Sequence, residues 1–374
     1  MTEDNEKMVV TPWEVRGVVD YDKLIAQFGV QPMTPNLAER ITKHAGYMHM
    51  QLRRGIYLSH RDVDWWMSEY EKGNRVGLYT GRGPSGQVHL GHLLPWFFCK
   101  YLQDAFDADL YFQMTDDEKF VFDDRLTLDQ TIGYTYDNAL DVIACGLSPE
   151  KTHIFSDTEH IQHLYKIALR VSKRVTYSTA KAVFGFKDSD NIGMIWYPAL
   201  QAMTCFLESD REGENIPCLI PAAIDQDPYW RMTRDIAEKM GYYKPAQIHA
   251  KFLPGLGKGG KMSSSLPETA IFTKDPPEAA EKKVMSAFTG GQATIKEQRE
   301  KGGDPTICSI YAYYYFLFED DDARLIRLEQ ECKSGSLVCG DCKARLAKVI
   351  SGFLVDFQVK REKAKDVLQD YIIK

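Results

Sequence analysis

Residues 75–114 read RVGLYTGRGPSGQVHLGHLLPWFFCKYLQDAFDADLYFQM. Arg75–Thr80 is a short apolar run bounded by polar residues, which predicts a buried strand. Gly81–Gly86 is a glycine-rich turn. His89–Phe106 carries apolar residues at helical spacing, and Asp109–Met114 (DLYFQM) reads as a second strand. A strand, crossover helix and strand in 40 residues is a βαβ unit, which places two strands parallel in one sheet. The alternation continues outward. Thr127 and Gln130 have capping-box spacing at the start of a helix expected to end at Gly146. Thr152–Ser156, Ile216–Ile224 and Ile248–Leu253 read as further strands. The expected fold class is therefore α/β: a doubly wound parallel, Rossmann-like sheet with helices on both faces. In such a sheet ligands bind beyond the carboxyl ends of the strands. The loops after Thr80, Met114, Ile224 and Leu253 should then gather around one site.

On either side of this region the pattern changes. Residues 1–74 contain short motifs and one helical stretch near Pro35–Gly46, and residues 291–374 read as all helix, so the domain boundaries are expected near 74/75 and 290/291. A length of 374 residues suits two or three domains. Hydrophobic residues make up 44% and charged residues 26%, which excludes disordered and fibrous classes. The net charge of -7 excludes a wholly basic nucleic-acid binder but not a local basic face. No apolar run reaches membrane-spanning length. The opening MTEDNEKMVV lacks the apolar core of a signal peptide, so a cytoplasmic location is expected and the eight cysteines do not read as a disulfide frame.

Two motifs carry the chemistry. Gly81-Arg82-Gly83-Pro84-Ser85-Gly86 fits G-x-G-x-x-G after a strand, and Asp107 and Asp109 fall about where a ribose-binding acid would stand. A dinucleotide site and a plain tight turn both share that signature, and Pro84 sits awkwardly in the former. His89-Leu90-Gly91-His92 follows at once. Two imidazoles three apart at a helix start face one side, and with the helix N-terminal amides they make a cation-capable phosphate site. Gly91 removes a side chain, so a flat base can approach the backbone. Two incidental polar residues opening a helix are the plain alternative. The second motif, Lys261-Met262-Ser263-Ser264-Ser265, ends the glycine-rich stretch 255–260. Gly255–Lys261 fits the first part of a P-loop, but Met262 stands where a Mg²⁺-binding hydroxyl belongs, and Pro267 comes too soon for the required helix. A mobile loop that carries Lys258 and Lys261 to a polyphosphate fits the residues better; a solvated surface loop is the alternative.

HLGH early and KMSSS late, about 170 residues apart around an alternating α/β region, resemble the two signatures of class I aminoacyl-tRNA synthetases. TPWEV (11–15), RRGIYLSHRD (53–62), YTGRGPSG (79–86), QMTDDEK (113–119), IDQDPYWRMTRD (224–235) and FLFEDDD (316–322) extend the resemblance to tryptophanyl-tRNA synthetases of the eukaryotic and archaeal type. It runs from about Val9 to the C-terminus. The stretch from Pro84 to His89 is a residue shorter than in familiar members. The resemblance implies activation of L-tryptophan by ATP with Mg²⁺, giving tryptophanyl-adenylate and pyrophosphate, then transfer to tRNA(Trp), by a homodimer. It implies ATP contacts from His89, Gly91, His92, Gly81, Arg82, Met262 and Ser265, with Arg82 in the phosphate-facing turn. Lys261 and Ser263 would hold the departing phosphates, and Asp225 would bind ribose or orient substrate. Trp13 would belong to an N-terminal hairpin closing over ATP. Tyr79, Gln113, Glu118, Gln201 and Gln226 would form the tryptophan pocket. An indole N–H only donates, so the Tyr79 hydroxyl and the Gln113 amide oxygen suit it, while the other three suit an ammonium group.

Four cysteines fall in the C-terminal region as Cys308, Cys332, Cys339 and Cys342. Their spacing resembles the [4Fe–4S] site of some bacterial tryptophanyl-tRNA synthetases. Four thiolates suit a cluster or zinc, and free buried thiols are the alternative. From Asp341 to Lys374 there are eight Lys or Arg against five Asp or Glu. That face suits tRNA phosphates or solvent equally.

Overall fold

The computed structural model describes residues 19–264 and 266–374, together with the backbone of Val9–Val10 and Val15–Arg16. Trp13 and Ser265 lie outside the described residues. Val9–Val10 pairs antiparallel with Val15–Arg16.

One seven-stranded sheet organises the chain. Its strands are β1 (Gln31–Pro32), β2 (Tyr57–Arg61), β3 (Gly77–Arg82), β4 (Asp109–Met114), β5 (Thr152–Ser156), β6 (Cys218–Ala223) and β7 (Ala246–Ala250), in the spatial order β1-β2-β7-β6-β3-β4-β5. Strands β3 to β7 are mutually parallel. β2 runs antiparallel to β7, and β1 antiparallel to β2. The sheet is therefore mixed at one edge, where a wholly parallel sheet was expected. The residues before Gly77 supply both of those strands. Strand order reverses between β6 and β3, which is the crevice where doubly wound sheets bind ligands.

The expected elements form with small shifts. β3 starts two residues late and runs on through Gly81 and Arg82. α1 (Leu90–Phe106) opens at His89 and ends where Asp107 adopts φ 48°, a left-handed conformation that Asp tolerates. Its Leu90, Leu93, Leu94, Phe98 and Leu102 are buried against the sheet. Each such side chain contributes on the order of 2 kcal/mol by leaving water. α2 (Asp116–Phe122) follows β4. α3 (Leu128–Ala144) has the expected capping box, with the Thr127 amide donating to Gln130 Oε1 at 2.9 Å and the Gln130 amide donating to Thr127 Oγ1 at 3.2 Å. α4 (Ile192–Met203) and α5 (Asp227–Met240) flank the other half.

Beyond residue 290 the described elements are helical. α7 (Cys339–Tyr371) is 33 residues long and packs along α6 (Pro277–Ser286) and α3. Arg361 of α7 clamps α3: its Nε donates to Asp141 Oδ2 at 3.2 Å and its Nη2 to the Asp137 carbonyl at 2.9 Å. Past α7, Ile372 bridges Ile154 in parallel and the Ile373 amide donates to the Ile154 carbonyl at 2.9 Å. This tail covers the outer edge of β5.

Candidate active site

The carboxyl ends of β3, β4, β6 and β7 open into one large cleft of about 580 Å³. The four loops predicted to gather there do so. Tyr79, Gly81, Gly91, His89, His92, Gln113, Glu118, Gln201, Asp225, Gln226, Lys261, Met262 and Ser263 all line it.

At one end lies a buried floor. The Tyr79 hydroxyl donates to Gln113 Oε1 at 2.5 Å, and Gln113 Nε2 donates to both carboxylate oxygens of Asp157, at 2.9 and 2.8 Å. The Trp230 ring meets Tyr79 edge-on at 5.2 Å. Glu118, on the first turn of α2, accepts from Thr115 Oγ1 at 2.8 Å and from Lys119 Nζ at 3.0 Å. Gly83 leaves room for this pair, since a Cβ there would stand 1.9 Å from Lys119 Cε. Burial and the neighbouring carboxylates raise the Asp117 carboxyl to about 7, and burial with the Asp117 charge raises Asp157 well above the usual range.

The middle of the cleft holds the two histidines. Their rings stack with centroids 3.6 Å apart. The His89 amide donates to His92 Nδ1 at 3.1 Å. A Cβ on Gly91 would lie 3.1 Å from the His89 ring and 3.6 Å from Met262 Cβ, so glycine keeps this surface flat. Burial, then the Arg82 charge, lowers His89 to about 3 and His92 well below 6.5. Both imidazoles therefore favour the neutral form in the ligand-free cleft.

Arg82 also lines the cleft, with little of it exposed. It is buried, with Nε donating to Asn138 Oδ1 at 2.5 Å, Nη2 donating to the Gln87 carbonyl at 3.2 Å, and Nη1 at 2.5 Å from His92 Nε2. Asn138 Nδ2 in turn donates to the Gly86 carbonyl at 3.0 Å. Arg82 thus ties the glycine-rich turn to α3 and sits under His92. The dinucleotide reading fails for a separate reason: Asp109 lies at the amino end of β4, paired with Arg75 at 2.9 Å and His153 at 2.9 Å, away from the cleft.

The other end is the loop of the second motif. It is a tight return in which Pro254 bridges Lys261, the Gly255 amide donates to the Gly260 carbonyl at 3.2 Å, and Gly259 and Gly260 take φ 71° and 78°. Only glycine adopts that region without strain. Met262 is buried and anchors the loop, its amide donating to the Leu253 carbonyl at 2.9 Å. Lys261 Nζ reaches across to Asp225 Oδ2 at 3.3 Å and lies 5.4 Å from the centre of the Phe252 ring. Lys258 Nζ lies 6.0 Å from the Phe288 ring centre.

Thr115, Lys119, Tyr197, Trp230 and Phe252 line the cleft as well, and no motif singled them out. The QMTDDEK stretch held the signal for Lys119, one place after Glu118.

Away from the cleft, Cys308, Cys332, Cys339 and Cys342 line one small, almost wholly apolar pocket with Tyr311, Leu328 and Leu337. All four are free thiols. Burial raises Cys332 to about 11 and Cys342 to about 12, which disfavours thiolates. No group of three or more His, Cys, Asp or Glu among the described residues is arranged to hold a metal ion.

Comparison with known proteins agrees with this geometry. Residues 71–355 match the family described as tRNA synthetases class I (W and Y). The chain is 48% identical over 366 residues to the tryptophan–tRNA ligase of Pyrobaculum aerophilum, covering 98% of this chain and 97% of that one. It is 50% identical over 365 residues to the tryptophan–tRNA ligase of Saccharolobus solfataricus, covering 97% and 94%. The crystal structure of Plasmodium falciparum tryptophanyl-tRNA synthetase superposes with a TM-score of 0.88 at 40% identity, covering 94% of this chain and 97% of that one. With both signature motifs facing one cleft at the sheet's switch point, the chain belongs to the class I tRNA synthetases for tryptophan and tyrosine, and within them to the tryptophan–tRNA ligases.

Proposed function

We infer that the chain activates L-tryptophan with ATP, releases pyrophosphate, and transfers the tryptophanyl group to tRNA(Trp). One observation carries the reading beyond family membership. The floor of the cleft presents oxygen acceptors from Tyr79 and Gln113 to a buried space. An indole N–H is a donor with no acceptor role, so it fits that surface.

The first step needs no protein nucleophile. The tryptophan carboxylate attacks the α-phosphorus of ATP in line; the new O–P bond forms as the bond to pyrophosphate breaks. The protein positions the reactants and stabilises charge. In our reading Glu118, Gln201 and Gln226 hold the α-ammonium. Neutral His89 and His92, with Gly91, present a flat wall to the adenosine. Asp225 binds ribose hydroxyls, and Lys261 with Ser263 follows the leaving pyrophosphate; the Mg²⁺ that accompanies ATP would share its growing charge. In the second step a terminal ribose hydroxyl of tRNA attacks the acyl carbon and AMP leaves.

The ranges 1–74, 75–290 and 291–374 are taken as the ATP-covering, catalytic and anticodon-binding parts. A homodimer is supported by exposed apolar side chains on three packed helices: Tyr165, Leu169, Tyr177 and Ile192, the last 83% exposed. A cytoplasmic location is our reading for a translation enzyme; among the described residues no helix is long and apolar enough to cross a membrane. A cluster or zinc at the four C-terminal thiols is supported by their shared pocket alone, and no step depends on it. Iron and zinc assays on anaerobically purified protein test it; colourless protein free of both removes it.

Amino-acid-dependent ATP–pyrophosphate exchange tests the function, with tryptophan and tyrosine run in parallel. Exchange with tryptophan alone is expected. Exchange with tyrosine instead would keep the reaction and overturn the pocket.

A further inference from the structure

Tyr79, Gln113 and Asp157 stand in a row across three neighbouring strands. Tyr79 is the third of six residues of β3, Gln113 the fifth of six in β4, and Asp157 directly follows β5. The Asp157 amide donates to the Met114 carbonyl at 3.1 Å, which fixes its backbone to β4. Gln113 is fully buried and Asp157 is 1% exposed.

The row has a direction. A glutamine amide can turn end for end at almost no steric cost, exchanging acceptor for donor. Here one end meets two carboxylate oxygens. Nε2 donates to both of them. The reversed amide would aim its carbonyl oxygen at a carboxylate and leave two buried acceptors unmet, which is costly away from water. With Nε2 held on Asp157, Oε1 must face Tyr79. The Tyr79 hydroxyl then has an acceptor for its one proton and gives that proton away from the ligand space. Oxygen lone pairs are what remain for the ligand. Without Asp157 both amide orientations become available, and the hydroxyl proton is free to turn into the cleft, where it meets the indole N–H donor to donor.

We propose that Asp157 is a positioning residue for side-chain recognition: its carboxylate fixes the polarity of Gln113, and through Gln113 and Tyr79 it makes the pocket floor an acceptor for a ring N–H. The proposal rests on the tryptophan reading above. Asp117 belongs to the same device. It stands beside Asp157 and shares a hydrogen bond with it; burial and mutual repulsion raise both carboxyls, and the proton the pair retains lies in that bond, so that Asp157 still faces Gln113 Nε2 as an acceptor. Asp116, whose charge adds to both shifts, accepts from Ser156 Oγ at 2.8 Å.

The test compares L-tryptophan with β-(benzothiophen-3-yl)-L-alanine, whose ring sulfur replaces the N–H. The readout is kcat/KM for ATP–pyrophosphate exchange with each, and KM for ATP. The wild-type protein should favour tryptophan strongly. In Asp157→Leu, kcat/KM for tryptophan should fall about tenfold to a hundredfold while that for the analogue changes little, so the preference collapses. KM for ATP should hold. Asp157→Asn offers an oxygen to one orientation of Gln113 and an NH2 to the other, so it should lose part of the preference, less than Asp157→Leu does. An equal fall for both amino acids in Asp157→Leu would mean a merely structural role and overturn the proposal, as would an unchanged preference. If that variant does not fold, Asp157→Ser is read by the same ratio. A wild-type protein that shows no tryptophan-dependent exchange, or no preference over the analogue, would instead sink the pocket assignment itself.

Discussion

The two ends of the cleft are built on opposite plans. At the indole end, each polar group of the floor is gripped by another: Tyr79 by Gln113, Gln113 by Asp157, Asp157 by Asp117. At the phosphate end, the Lys261 ammonium has one carboxylate at 3.3 Å, on a loop whose return depends on two left-handed glycines. Recognition of a rigid ring profits from a surface that does not adjust. Charge that appears only during the reaction is met better by a group that can move to it. In the structure Lys261 rests on Asp225, a residue we assign to the ribose.

Breaking the phosphate end should have the largest effect. Lys261→Ala is expected to slow adenylate formation roughly a hundredfold to a thousandfold with little change in tryptophan affinity, since its contact grows in the transition state. Pre-steady-state adenylate formation and equilibrium tryptophan binding separate the two; unchanged turnover would remove the role given to the loop. Breaking the indole end should do the reverse. Gln113→Ala should raise KM for tryptophan about tenfold to a hundredfold and leave KM for ATP alone. Should both constants move together, the two ends are one cooperative unit and the contrast drawn above is wrong.

A third break lies outside the cleft. Arg361→Ala strips Asp141, which is fully buried, of its cation. Removing one partner of such a pair costs about 3 kcal/mol or more. Denaturant unfolding should show that loss, with exchange activity preserved under conditions where the variant stays folded. Loss of activity in folded protein would show that α7 acts on the site through Asp141 and Arg82.

The smallest effect sharpens the comparison. Asp117 is raised to about 7 in the folded chain, against about 3.9 when unfolded. Between those values the folded state binds more protons, so this group makes stability fall as pH rises from about 4 to 7. Asp117→Asn removes that slope. Its melting temperature relative to wild type should therefore be higher at pH 8 than at pH 5. Parallel melting curves for the two proteins across that range would show that the acid pair carries no shared proton.

These contrasts also show what sequence reading could reach. DLYFQM was legible as a strand because a parallel strand buried on both faces is a run of apolar residues. Tyr57–Arg61 was not, because YLSHR looks polar. Its Ser59 and His60 are buried all the same, with the Ser59 hydroxyl 3.1 Å from His249 Nδ1 on the neighbouring strand. HLGH and KMSSS announce themselves through short fixed spacings that bring backbone and charge together. Arg82 was visible, but its direction was not: a flexible side chain in a glycine turn can face either way, and the choice depends on Asn138, 56 residues on. Asp157 gave no signal, since a lone aspartate after a strand is unremarkable until Gln113 is beside it. The preference of the two histidines for the neutral form was out of reach for a similar reason, because burial and Arg82 supply a field that local spacing does not encode.

The tail beyond α7 has a protective consequence. β5 is the outermost strand on its side of the sheet, and a bare strand edge is a template onto which another chain can add. Ile372 and Ile373 occupy that edge at Ile154. Proteolytic trimming back to Tyr371 would leave the catalytic cleft untouched and yet give the molecule an open pairing surface, so its shelf life, more than its turnover, would register the loss.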